Sequence, residues 1–335
     1  MAKTFNLKVF IINLLAVIFI FIAIKILIGS GALSRYLISI MIFICVNIIL
    51  ATSLNLATGF LGQLALGHAG FMAIGAYTSA LTAIYLRSTY NLSGTLLLLA
   101  SLVAAGLFAG IIGVLIGIPA LRLRGDYLAI ITLGFGEVIR VFINNIGFTG
   151  GAKGLTGIPR ITTIDNAYWV MVLTVAILYT LTSSRQGRAI ISIREDEIAA
   201  EAVGIQTTRY KVMGFAIAAF FAGIGGGLYA HFIAFLDPNT FNFMRSVEIL
   251  VIVVLGGMGS LTGSVVSAIV LTILPEALRD FAIYRLLIYS GLLVAMMIFR
   301  PQGIFGTKEF SLVQFFKTLR HNPIVTPRKK VKESD

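Results

Sequence analysis

The chain has 335 residues, 58% of them hydrophobic and only 12% charged, with a formal net charge of +12. Soluble domains carry about 25% charged residues, so a soluble fold is excluded: it would have too little polar surface to present to water. A single cysteine, Cys45, excludes an internal disulfide and a cysteine-based metal site, and His68, His231 and His321 are too scattered to suggest a metal cluster. Apolar stretches of near bilayer-spanning length recur from end to end, which predicts an all-α polytopic membrane bundle. The first, Val9 to Ile28, is too long for a signal-peptide core, contains Lys25 and lacks a small-residue cleavage site, so it reads as a span.

Further spans are predicted near 36–56, 66–86, 94–120, 127–147 and 168–183. After a charged interruption come 212–235, a difficult region at 240–276, and 283–299. GGMGSLTG, Gly256 to Gly263, divides the difficult region and is rich enough in glycine to reverse the chain. The stretch before it, Ser246 to Leu255, would reach only about 15 Å as a helix. Two protein-lined spans here give ten in all; eight plus a re-entrant pair is the alternative. With the N-terminus inside, ten spans place 17 Lys or Arg on the cytoplasmic side and seven outside, with Lys25 and Arg140 within spans. The positive-inside rule and anionic lipid thus account for the positive charge, and nucleic acid is not required. One transmembrane domain over 1–306 would carry the interruption as a cytoplasmic loop, followed by a basic tail at 307–335.

The interruption, Ser183 to Tyr210, reads SSRQGRAIISIREDEIAAEAVGIQTTRY. Arg194, Glu195, Asp196, Glu197 and Glu201 lie so close together that burying them at a bilayer centre would cost about 12–17 kcal/mol. The loop therefore lies in water. Ser192 with Glu195 three residues later predicts a capping box, and Gly204 is placed to stop the helix. Ile198, Ala199, Ala202 and Ile205 fall at helical spacing, giving a short amphipathic helix.

Polar residues inside spans are functional candidates. Glu137, Arg140 and Asn144 share one face of the fifth span, where the first two can pair; the stripe either lines a water-filled path or knits the bundle. Asn47 and Asn55 share a face of the second, as helix-to-helix hydrogen bonders or as path residues. Gln63 and His68 sit among Gly59, Gly62, Gly67 and Gly70, where close packing competes with an irregular backbone lining a path. No Gly-x-x-x-x-Gly-Lys-Ser/Thr occurs, and TGGAKGLTG at Thr149 to Gly157 has the wrong spacing, so any ATP belongs to another chain. No hydrolytic motif is present, and the chain reads as a transport subunit rather than an enzyme.

Six strings together resemble the membrane permeases of branched-chain amino acid ABC importers. They are GFLGQLALGHAGFMAIGAY (Gly59 to Tyr77), LRLRGDYLAIITLGFGEVIR (Leu121 to Arg140), TGGAKGLTGIP (Thr149 to Pro159), IREDEIAAEAVGI (Ile193 to Ile205), VLGGMGSLTGSVVSA (Val254 to Ala268) and FRPQGIFG (Phe299 to Gly306). Their order resembles the LivM-type half rather than the LivH-type half. The resemblance implies a type II ABC importer fold in a bacterial cytoplasmic (inner) membrane. It further implies a LivH-type permease partner, two cytoplasmic ATPase subunits that bind ATP and Mg, and a periplasmic or lipid-anchored substrate-binding protein. The Ser192–Gly204 helix would be the coupling helix, with Arg194, Glu195, Asp196, Glu197 and Glu201 around it. Ala199, Ala200 and Gly204 match the family's Glu-Ala-Ala-x-x-x-Gly spacing, but Ile198 stands where the glutamate belongs. Similar permeases carry urea, short amides or other amino acids. An ion-coupled secondary transporter would need a proton or sodium constellation, for which Glu137, paired with Arg140, is a poor candidate.

Overall fold

The computed structural model describes residues 7–31, 33–123 and 125–279, with isolated positions up to 306. The predicted span at 283–299 falls mostly, and the tail at 307–335 wholly, outside the described residues. Eleven α-helices are described: α1 Leu7–Gly29, α2 Arg35–Asn55, α3 His68–Tyr90, α4 Gly94–Ala120, α5 Asp126–Asn145, α6 Ile164–Ser183, α7 Arg185–Glu195, α8 Glu197–Ala202, α9 Thr207–Ile233, α10 Phe243–Gly256 and α11 Leu261–Ala277. A π-helical turn, Leu56–Phe60, extends α2. Among the described residues, five helices (α2 with its extension, α3, α4, α6 and α9) are long and apolar enough to cross a membrane.

Small residues set the packing. A Cβ added to Gly75 on α3 would lie 2.2 Å from the Cα of Gly223 on α9, and one on Gly226 would lie 2.0 Å from the Met72 carbonyl oxygen. Only glycine permits this approach, which brings the α3 and α9 backbones together without any need for a hydrophobic driving force between helices. On α4, Leu96, Leu99, Val103, Leu107, Ile111 and Leu115 follow one another at three- and four-residue steps and are all exposed. An apolar stripe turned outward is the pattern expected of a helix facing lipid. The half of α2 from Cys45 to Asn55 is buried on all sides, placing it at the centre of the bundle.

The region 240–276 resolves into two unequal pieces. At one end of the bundle, Leu236 exchanges backbone hydrogen bonds with Leu155 in the α5–α6 loop, at 2.9 and 3.1 Å. From there the chain descends irregularly, through a 3-10 turn at Pro238–Phe241, to the start of α10. The Phe243 N–H donates to Glu137 Oε1 at 3.0 Å, near the midpoint of α5, so α10 begins at mid-depth. Irregular backbone at this depth is tolerated only where protein covers it, and Pro238 and Phe241 are buried. α10 has 14 residues, about 21 Å of rise, and reaches the opposite end at the turn Gly257–Ser260. α11 then returns along α2: Ser264 pairs with Asn55, Thr272 with Asn47, and Arg279 lies over the Tyr36 ring. The segment thus crosses the bundle twice, first in two pieces and then as one helix.

Candidate functional site: a charged loop junction and a polar cavity

The charged loop forms two helices rather than one. Ser184 starts α7 by accepting the Gly187 N–H at 3.2 Å. The apolar pattern of α7 continues through Ile190 and Ile193, both buried, so the helix runs past Ser192. Ser192 is consequently not a cap: its hydroxyl donates to the Ala189 carbonyl at 2.9 Å. The break falls at Asp196, whose carboxylate accepts the N–H groups of Ile198 (2.9 Å) and Ala199 (3.0 Å) and caps α8. Gly204 ends α8 as its position suggested. At φ +87° its N–H donates to Glu201, while that of Ile205 returns to Ala200, the paired closure that a left-handed glycine permits.

α8 is tied down on one side and bare on the other. Ala200 is buried. Glu197 forms a 2.7 Å ion pair with Lys211, whose side chain is 3% exposed, and Glu201 accepts the Thr207 hydroxyl at 2.6 Å. Both glutamates thus bond within the chain. Ile198 and Val203 are 73% and 77% exposed, and Ala199 lies open beside them. The helical spacing of Ile198, Ala199, Ala202 and Ile205 already placed Ile198 on an apolar face, but Val203 falls outside that spacing.

Arg194 joins this loop to the bundle. Its Nη1 donates to the Gly59 carbonyl oxygen in the π turn at 2.8 Å, and its other nitrogens bond Glu195 Oε1. Its side chain lies against Gly62, and a Cβ on Gly259 would come within 2.7 Å of Nη1. Asn55 locks the same junction from inside: Nδ2 donates to the Ser260 carbonyl and the Ser264 hydroxyl, both at 2.8 Å, and Oδ1 accepts the Gly259 N–H at 2.9 Å. The charged loop, the end of α2 and the α10–α11 turn therefore meet at one point.

The remaining sequence candidates separate. His68 is buried and shares a 3.0 Å hydrogen bond with Ser53, while Gln63 is half-buried in the segment leaving the π turn. Glu137 Oε2 pairs with Arg140 at 2.7 Å, its Oε1 holds the N-terminus of α10, and Arg140 reaches Asn239 at 3.1 Å. This pair knits α5 to the mid-depth start of α10, where a carboxylate also meets the helix dipole favourably. Asn144 Oδ1 is buried with no hydrogen-bond partner.

A cavity of about 600 Å³ opens between α2, α9, α10 and α11. Asn55, Gln63, His68, Arg140 and Asn144 do not line it; Asn47, Asn242, Arg245, Glu248, Thr272 and Glu276 do. Across it runs a polar row in which Arg245 donates to Asn47 (2.8 Å) and Glu248 (2.9 Å), and Asn47 donates to Thr272 (2.9 Å). The sequence carries the signal, an i,i+3 Arg–Glu pair behind the Asn242 cap, but the charge count that gives ten spans places Arg245 among the seven external cations.

A bundle with a lipid-type exterior, a polar cavity at mid-depth and an exposed helix hinged to its interior defines a polytopic membrane permease. The chain belongs to the family described as the permease component of the branched-chain amino acid transport system, whose model matches residues 36–300. Similar curated proteins are the high-affinity branched-chain amino acid transport system permease proteins LivM of Salmonella typhimurium and of Escherichia coli. Each is 40% identical over 81% of this chain and 70% of its own length. The E. coli LivH protein is 26% identical over 79% of this chain and 92% of its own. No solved structure matches the chain.

Proposed function

We propose that the chain is the LivM-type permease half of an ATP-driven importer of leucine, isoleucine and valine in a bacterial cytoplasmic membrane, paired with a LivH-type half. The observation that carries this reading is α8: a capped helix pinned by Ala200, Lys211 and Thr207 that turns Ile198 and Val203 into water. A water-exposed apolar face held rigidly in place is a surface made for another protein. In this reading the partners are two cytoplasmic ATPases, which bind ATP and Mg, and a substrate-binding protein delivers cargo on the opposite side. Both termini are then cytoplasmic. This chain lacks a phosphate-binding loop, which supports assigning the nucleotide to those partners.

ATP-driven closure of the ATPases would move α8 as a lever. Arg194 would carry the motion to the π turn of α2 and, through Asn55, to the turn joining α10 and α11. The α10 hairpin borders the cavity, so displacing it changes access to the interior.

The test is reconstitution of the complete transporter in proteoliposomes. Wild type is expected to import leucine with ATP and binding protein. Ile198→Asp with Val203→Asp is expected to abolish uptake and to release the ATPases on purification. Full uptake and retained ATPases in that variant would remove α8 from the coupling role.

A further inference from the structure

We propose that the cavity between α2, α9, α10 and α11 is a binding site for a free amino acid with an aliphatic side chain, its carboxylate held by Arg245 and its ammonium by Glu248. The proposal rests on the importer reading above and locates its cargo within this chain.

The chemistry of the lining matches a zwitterion. Ionisable groups at this depth are costly and are retained where they pair or serve a path. Arg245, with its side chain 22% exposed, lies 2.9 Å from the half-exposed Glu248 and donates to Asn47, which Thr272 holds from the other side. The Arg245–Glu248 pair is therefore neutral, and Glu276 at the rim faces Arg279 at 3.8 Å. A zwitterion entering between the two exchanges one ion pair for two, leaving neither charge uncompensated, which is the condition that makes buried charge tolerable. A simple anion would take Arg245 and leave Glu248 without its ion-pair partner, and a simple cation would take Glu248 and leave the less exposed Arg245 without its own.

The remainder of the wall is apolar where a side chain would lie: Phe43, Ile252 and Leu271. The volume, about 600 Å³, falls within the roughly 300–1,000 Å³ of small-molecule sites. The irregular segment at 234–242 ends beside the cavity, and non-helical backbone at membrane depth is characteristic of protein-lined cavities. The cavity extends from mid-depth toward the end of the bundle remote from α8, where Ile40, Pro275 and Glu276 line it.

The probe is a diazirine analogue of leucine, irradiated with the complete reconstituted transporter in the absence of binding protein. Label is expected on Phe43, Ile252 or Leu271. Excess leucine should suppress it, whereas leucinamide, which lacks the carboxylate, and 4-methylpentanoate, which lacks the ammonium, should not. Arg245→Gln and Glu248→Gln should each reduce labelling about tenfold or more. Should either variant fail to fold, the competition pattern in wild type decides. Label confined to other segments, or equal competition by the truncated analogues, overturns the site. Leucine uptake by wild type with ATP and binding protein is measured in parallel. Uptake without cavity labelling overturns the site alone, and absence of uptake overturns the importer reading beneath it.

Discussion

Arg194 and Gly59 are 135 residues apart in sequence and are joined by a single hydrogen bond, 2.8 Å from guanidinium to carbonyl oxygen. The acceptor lies in a π turn, where the helix is wider and its hydrogen bonding is less regular. A charged donor there gives the α7–α8 loop a direct hold on the end of α2, whose second half is buried on all sides. Arg194→Ala should leave the complex assembled and hydrolysing ATP while uptake falls about tenfold, the effect of losing one charge-assisted hydrogen bond. Arg194→Lys should recover part of this. ATPase and uptake assays on the same vesicles check it, and parallel loss of both activities would count against a transmission role.

Lys211 is nearly inaccessible and paired with Glu197. Glu197→Ala would strand that ammonium and should destabilise the protein by about 3–5 kcal/mol. Replacing both, as Glu197→Ala with Lys211→Met, should recover much of the loss. Thermal unfolding in detergent distinguishes the pair from two independent contributions.

Asp196 caps α8 with two hydrogen bonds. Asp196→Ala should cost about 1 kcal/mol and Asp196→Ser should restore most of it. Ser192→Ala, at the position a capping-box reading selects, should change stability little. Comparing melting temperatures of the three variants checks the assignment.

Asn55 satisfies three partners with one side chain. Asn55→Leu leaves the Gly259 N–H buried without that acceptor and should cost about 1–3 kcal/mol for this group alone. Hydrogen exchange should rise locally at Gly259 and Ser260, with little change at Phe243.

The contrast between Asn47 and Asn55 shows where the sequence stopped being legible. Eight residues apart on one face, they are equivalent by periodicity. Asn55 meets the glycine turn and is saturated, whereas Asn47 meets the Arg245 side chain at the cavity edge. That difference is set by α10 and α11, some 200 residues away, and no local pattern contains it. Ser192 failed for a local reason: Ser-x-x-Glu fits a cap, but buried Ile190 and Ile193 keep α7 intact through it. Features governed by nearest neighbours were readable, among them the stop at Gly204 and the Glu137–Arg140 pair. The half-depth start of α10 was visible only as a shortage of apolar residues before the GGMGSLTG turn.

The inward commitment of Glu197 and Glu201 has a consequence for how the machine is held together. Because the acids of α8 are already occupied, its outward face offers shape and apolar area, which dissolved ions do not screen. A partner docked on that face, as proposed above, should therefore stay bound as the salt concentration is raised.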